Sequence, residues 1–204
     1  MRNKLKFKKL LNEYRSLKFE LEFIEDVLSE YHLVFEETYR RYCAEKDIDL
    51  QELHEKNKER VEKIFPDNKL QKSESSTEPT QVTKSTQEKH KSIYRELAKK
   101  LHPDSLPEGD ERYDEFKTAF QRATQAHNDG AWGDLFDLVE RYGVNLRNYG
   151  SICNSLIKHI EQIKLQIDNQ KKTFSWALYE CEGTEDCEEQ VIKNFLMTVF
   201  RFRQ

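Results

Sequence analysis

The first forty residues constrain the fold more than any other part of the chain. Phe7, Leu10, Tyr14, Leu17, Leu21, Ile24, Leu28, Tyr31, Phe35 and Tyr42 recur at steps of three and four, and Thr38 fills the one gap. That is an a/d heptad seam, and its spacing puts all ten side chains on one stripe of a helix. A helix over residues 3–46 would be about 65 Å long, and such a rod buries its stripe only against another helix. The seam mixes aromatics with Leu and Ile. Self-association through a coiled coil and an intramolecular hairpin or small bundle therefore both stay open. Six Gly and four Pro in 204 residues, with 35% charged, leave few breakers, so the fold class is all-α with long helices.

Asp47-Ile48-Asp49 reads as a break, with Asp49 or Asp47 as N-cap of a second helix. Leu50, Leu53, Val61 and Ile64 give it a weak stripe, and Pro66 ends it. The two helices are expected to form an antiparallel hairpin. Residues 66–84 are polar and lack aromatics, so they read as a flexible linker. Ser85 with Glu88 is a capping-box pattern. It opens a helix whose stripe is Ile93, Tyr94, Leu97, Ala98 and Leu101, stopped before Pro103. Tyr113, Phe116, Phe120, Ala123 and His127 predict a helix over 110–128, and Leu135, Leu138 and Val139 a short one over 132–142; Gly130 and Gly143 close them. Ile152, Leu156, Ile160, Ile163, Ile167 and Phe174 make 150–178 a second coiled-coil candidate. A terminal helix is expected over 185–201, with Phe195, Phe200 and Phe202 docking on the first helix. The predicted blocks are 1–65, the linker 66–84, 85–143 and 144–204.

The net charge of −4 and pI of about 5.9 disfavour nucleic acid as a partner, despite Lys4, Lys6, Lys8 and Lys9. No apolar run approaches the roughly 18 residues of a membrane span. The basic N-terminus precedes no continuous apolar stretch, so neither membrane insertion nor a signal peptide is expected, and the location reads as cytoplasmic. The four cysteines (43, 153, 181 and 187) are scattered and read as reduced thiols. Cys181 and Cys187 have no His near them, and His90, His127 and His159 fall on different helices, reading as surface or core histidines. No metal, cofactor, catalytic residue or nucleophile–base pattern is therefore expected, and the chain does not read as an enzyme.

The informative stretch is Ile93-Tyr94-Arg95-Glu96-Leu97-Ala98-Lys99-Lys100-Leu101-His102-Pro103-Asp104. Residues 84–101, with Lys91, Arg95, Lys99 and Lys100 among them, carry a net +4; residues 104–115 carry a net −5. A cationic helix followed at once by an acidic loop is suited to steering toward an acidic protein surface. Taken alone, His102 is a helix C-cap and Pro103 a stop signal.

The context says more. Tyr94, Arg95, Leu97 and Ala98 stand eight, seven, five and four residues before His102. These offsets match the second helix of the J-domain in the DnaJ co-chaperone family, and the stretch resembles it through His-Pro-Asp. Phe120-Gln-Arg-Ala123-Thr124-Gln-Ala126-His127 resembles a diverged third helix of that family. The resemblance covers residues 85–143. It implies a J-domain-like helical hairpin, here flanked by long N- and C-terminal coiled-coil helices. It also implies docking on a DnaK-type heat-shock chaperone whose ATP hydrolysis it stimulates. On that resemblance His102, Pro103 and Asp104 contact the chaperone, Lys91, Arg95, Lys99 and Lys100 supply the positive face, and Tyr94, Leu97, Leu101, Phe116 and Phe120 are core. The client protein would be held by the coiled coils and is not named by the sequence. The chain departs from the family's pattern in lacking its first helix before Ser85, so another element must cover the hairpin. Ser105 stands where a Lys is common, and no Gly/Phe-rich stretch or Cys-x-x-Cys-x-Gly-x-Gly repeat follows. The alternative is a coiled-coil structural or assembly scaffold with a degenerate J-like unit.

Overall fold

A computed structural model describes the backbone of residues 2–64, 84–107, 109–146 and 148–202, and the side chains of these except 64 and 84–89. The expected linker, but for Lys84, and the side chains of Ser85 and Glu88 lie outside the described residues. The helices are α1 (Arg2–Glu45), α2 (Leu50–Ile64), α3 (Lys84–Leu101), α4 (Tyr113–Asn128), α5 (Trp132–Arg141), α6 (Tyr149–Lys171), α7 (Phe174–Tyr179) and α8 (Glu185–Phe195). A 3₁₀ turn at Pro103–Ser105 and a π-helical turn at Leu196–Phe200 complete the order, with no strand among the described residues. No helix of the described residues is long and apolar enough to cross a membrane.

Local chemistry sets the boundaries. At the end of α1 the chain turns through Asp47 (φ 52°), and the Ile48 N–H donates to the Cys43 carbonyl at 2.8 Å. The same six-to-one closure recurs at Gly130 and Gly143 after α4 and α5, where positive φ suits glycine. Asp49 then caps α2, its Oδ1 accepting the Gln51 and Glu52 N–H groups at 2.8 and 3.2 Å. Two expected helices are broken. The 150–178 stretch is α6 and α7, because the Thr173 hydroxyl accepts the Trp176 N–H at 3.3 Å and starts a new helix. The 185–201 stretch leaves α geometry at Leu196 and ends at Arg201 (φ 55°).

Packing divides the chain into two compact units: Met1–Phe19 with Glu78–Lys164, and Glu20–Thr77 with Leu165–Gln204. The blocks expected from sequence group differently, because α1 and α6 each contribute to both units.

In the first unit α3 and α4 lie antiparallel. Tyr94 meets Thr124 (hydroxyls 3.2 Å apart) and the His127 ring at 4.3 Å, while His102 meets Phe120 at 5.4 Å. Ala119, Ala123 and Ala126 of α4 present a small-residue face to Ile93, Leu97 and Leu101 of α3. Leu97 and Leu101 are fully buried, whereas Tyr94, Phe116 and Phe120 are half-buried at the edge. Three elements close the cluster: α5 through Leu135, Phe136, Leu138 and Val139, α1 through Phe7, Leu11 and Tyr14, and α6 through Ile152, Leu156 and Ile160. Within this unit α6 runs parallel to α1, the Cys153 thiol reaching the Asn3 carbonyl and Lys164 pairing with Glu13 at 2.6 Å. Acidic residues at three-residue steps on α5 pair with α1: Asp134 with Lys18 and the Tyr14 hydroxyl, Asp137 with Arg15, Glu140 with Lys8. The Lys8 ammonium holds the Glu140 carboxyl below its ordinary range. His90 is a core histidine, ringed by Trp132 and Phe136 with Nε2 3.0 Å from the Ser155 hydroxyl.

In the second unit Tyr39, Tyr42 and Cys43 of α1 pack with Leu53 of α2 and with Ile192 and Leu196. Of the C-terminal aromatics, Phe195 docks on α1, meeting the Phe35 and Tyr39 rings, both at 5.0 Å, while Phe200 packs on Phe195. The α2 stripe ends at Leu53, since Val61 is 44% exposed. Beyond it α2 leans on the terminal segment, with His54 against Phe200 and Arg60 donating to the Val199 carbonyl at 2.8 Å. The expectation of four reduced thiols is corrected here. Cys43 and Cys153 are free and buried, but Cys181 and Cys187 form a disulfide. Left-handed backbone at Glu182 and Gly183 turns the chain so that the two Cα atoms lie 5.5 Å apart, a proximity that sequence spacing alone does not reveal.

Candidate functional site

The site starts where α3 stops. Leu101 is the last helical residue, and Pro103 cannot donate to a continuing helix. His102 therefore leaves helical geometry (φ −59°, ψ 127°) and caps the short 3₁₀ turn that follows. Its Nδ1 accepts the Asp104 N–H at 3.3 Å, and its carbonyl accepts both the N–H and the hydroxyl of Ser105, at 2.9 and 2.7 Å. The imidazole lies edge-on to Phe120 of α4, which fixes one side of the ring and leaves the other to solvent. The His102 side chain is 50% exposed and that of Asp104 88%. The turn is thus tied down through its backbone while both chemically distinctive side chains project outward.

Lys91, Arg95 and Lys99 occupy one face of α3 at four-residue steps, all exposed and without an ion-pair partner among the described residues. His102 stands three residues beyond Lys99, so the cationic row leads to the turn. Lys100 differs from that expectation. It lies off the row, and its ammonium approaches the Gly143 carbonyl at 3.4 Å. Glu96 interrupts the face but is displaced by one position from the row. The structure therefore gathers His102, Pro103, Asp104, Arg95, Lys99 and Lys91 along one helix and its terminal turn, and sets Lys100 toward α5.

The acidic side is partly neutralised internally. Arg112 hydrogen-bonds Asp110 through its guanidinium and its N–H, holding the carboxyl down to about 2. Glu115 accepts the Tyr142 hydroxyl at 2.9 Å, and burial together with this carboxylate raises the Tyr142 phenol. Beside it a half-open cleft of about 350 Å³ lies between α4 and α5, with Arg122, Leu138 and Arg141 among its walls. Among the described residues no group of three His, Cys, Asp or Glu side chains is placed to hold a metal.

What the motif alone missed is its support. Phe7, Leu11 and Tyr14 cover the α3–α4 pair from eighty residues away in sequence; Phe7 and Tyr14 read locally as members of a heptad seam, which had Leu10 where Leu11 is the buried residue. The available signal was indirect: the hairpin lacked a covering helix, and the first forty residues offered an apolar stripe without a named partner. Comparison with family models, with curated proteins and with solved structures finds no match to this chain.

Proposed function

We propose that the chain is a J-domain-type co-chaperone that docks on a DnaK-type heat-shock chaperone, stimulates its ATP hydrolysis, and brings it to a client protein. The observation that carries this reading is the exposed His102-Pro103-Asp104 turn at the end of a row of cations, Lys91, Arg95 and Lys99, that have no ion-pair partner among the described residues. The α3–α4 antiparallel pair is the J-like hairpin of this reading. The N-terminal part of α1, α5 and the start of α6 take the covering role that the family gives to its first helix. Fixed, exposed charges of one sign favour encounter with an acidic partner and lose effect as salt rises. No bond is made or broken on this chain; the chemistry belongs to the chaperone, and the chain acts as a binding protein. A cytoplasmic location follows from such a partner. The Cys181–Cys187 disulfide argues the other way, since disulfides persist in oxidising compartments.

Single-turnover ATP hydrolysis by a DnaK-type chaperone tests the reading, with the intact chain and its His102→Gln variant. Stimulation by the first, reduced at least tenfold in the second, is the expected result. The His102 side chain is half-exposed and among the described residues touches the edge of Phe120 and the Asp104 N–H, which Gln can also meet, so the variant keeps its fold, and unchanged helicity by circular dichroism checks this. No stimulation by either protein across several chaperones would overturn the reading and leave the scaffold with a degenerate J-like unit.

A further inference from the structure

The heptad seam of α1 is spent inside the chain, yet α1 keeps a second face. In the second unit Ile24 and Leu28 are buried and Tyr31 and Phe35 half-buried on one side of the helix. On the opposite side Glu22, Asp26, Glu30, Leu33, Val34 and Glu37 share a face, spaced by three, four and seven residues. Leu33 is 67% exposed and Val34 36%. The carboxylates of Glu22, Asp26, Glu30 and Glu37 have no cationic partner among the described residues, and no Lys or Arg occurs between Lys18 and Arg40. Like charges four residues apart, as in Glu22–Asp26 and Asp26–Glu30, weaken an isolated helix. Among the described residues nothing compensates them, so this acidic and apolar face is matched to a basic, amphipathic helix.

The other end of α1 is such a helix. Residues 2–18 carry a net +6 and residues 19–39 a net −7. Lys8, Arg15 and Lys18 are already paired with α5, but Arg2, Lys4, Lys6 and Lys9 have no carboxylate partner among the described residues. Leu5, 65% exposed, falls on the same stripe as Arg2 and Lys9.

We infer that the acidic face of α1 binds the basic N-terminal end of α1 from a second copy of this chain, the two helices running antiparallel. Two-fold symmetry makes the contact reciprocal, because each copy gives one basic end and receives one. Leu5 of each copy meets Leu33 and Val34 of the other, Arg2 meets Glu37, and Lys9 meets Glu30. An antiparallel arrangement is required by the charges, since a parallel one would oppose like ends. The inference is independent of the chaperone reading and uses none of its residues.

Sedimentation equilibrium on the full chain tests it through a charge exchange. The unaltered chain is expected to be a dimer at low salt, its dissociation constant rising at least tenfold between about 50 and 500 mM salt as screening shortens the reach of the charges. Glu30→Lys with Glu37→Lys in one chain, and Arg2→Glu with Lys9→Glu in another, should each give a monomer. An equimolar mixture of the two variants should dimerise again, since the mixed dimer keeps one native contact and restores the other with its signs exchanged. Leu33→Ser should weaken the dimer without altering its salt dependence. All five positions are exposed, and circular dichroism confirms that each variant stays helical. A monomeric parent chain would overturn the inference, including one that instead binds a Lys/Leu amphipathic peptide. So would a dimer indifferent to both charge pairs, or a mixture that stays monomeric.

Discussion

Tyr39 shows how one atom can sit badly in a well-packed place. Its ring is wedged between Phe35 and Phe195, yet its hydroxyl is buried with no hydrogen-bond partner among the described residues. Burial, reinforced by the Cys43 thiol, pushes the phenol up to about 12, so it stays neutral. A buried hydroxyl without a partner costs about 1–3 kcal/mol in desolvation. Tyr39→Phe deletes that cost and keeps the ring. The variant is expected to unfold at equal or higher denaturant concentration than the parent; a loss of more than about 1 kcal/mol would mean that the hydroxyl is bonded after all.

Between elements, the decisive approach is that of α1 to α5. Gly133 is buried, and a Cβ built on it would lie 2.3 Å from the Tyr14 ring. The ring is not free to withdraw, because the Tyr14 hydroxyl donates to Asp134 at 3.0 Å and Phe7 and Leu11 pack on the same side. Glycine is a poor helix former, costing about 1 kcal/mol relative to alanine, so on propensity alone Gly133→Ala should stabilise α5. Overpacking of about 1–3 kcal/mol opposes this and wins. The expected outcome is a lower thermal midpoint for Gly133→Ala, whereas in a Tyr14→Ala background, itself destabilised by the lost packing, the same glycine change should no longer lower the midpoint. An unchanged or raised midpoint in the single variant would show that α1 and α5 are not this close.

At the scale of the whole molecule the burial of His90 makes stability depend on acid. Burial, with the neighbouring His159 adding to it, lowers the His90 pKa from 6.5 to about 4. The unfolded chain protonates His90 first, so between pH 6.5 and about 4 the unfolded state binds more protons than the native one. Stability is then full above pH 6.5 and falls as the pH drops, by about 1.4 kcal/mol per unit at most. Urea midpoints measured across that window should decline, and less steeply in His90→Gln. Identical slopes would place the proton elsewhere.

The parts legible in the sequence are those that local physics decides. Heptad spacing marked α1, glycine and Asp49 marked where helices stop and start, and Pro103 after a cationic helix marked the turn, whose exposure the tertiary structure decided. Each rests on interactions within a few residues, where backbone sterics and short hydrogen bonds act alone. The errors came where a local pattern had more than one partner to choose from. The α1 seam could have served self-association, and packing spent it largely on α3–α6 in the first unit and on α7, α8 and the terminal turn in the second. Cys181 and Cys187 were spaced for nothing in particular until the turn at Gly183 brought them together. Helical periodicity fixes which face is apolar because the hydrophobic effect is proportional to area and indifferent to partner. Which helix covers that face is a matter of shape and volume, as Gly133 under Tyr14 illustrates, and it is settled only when the whole chain packs.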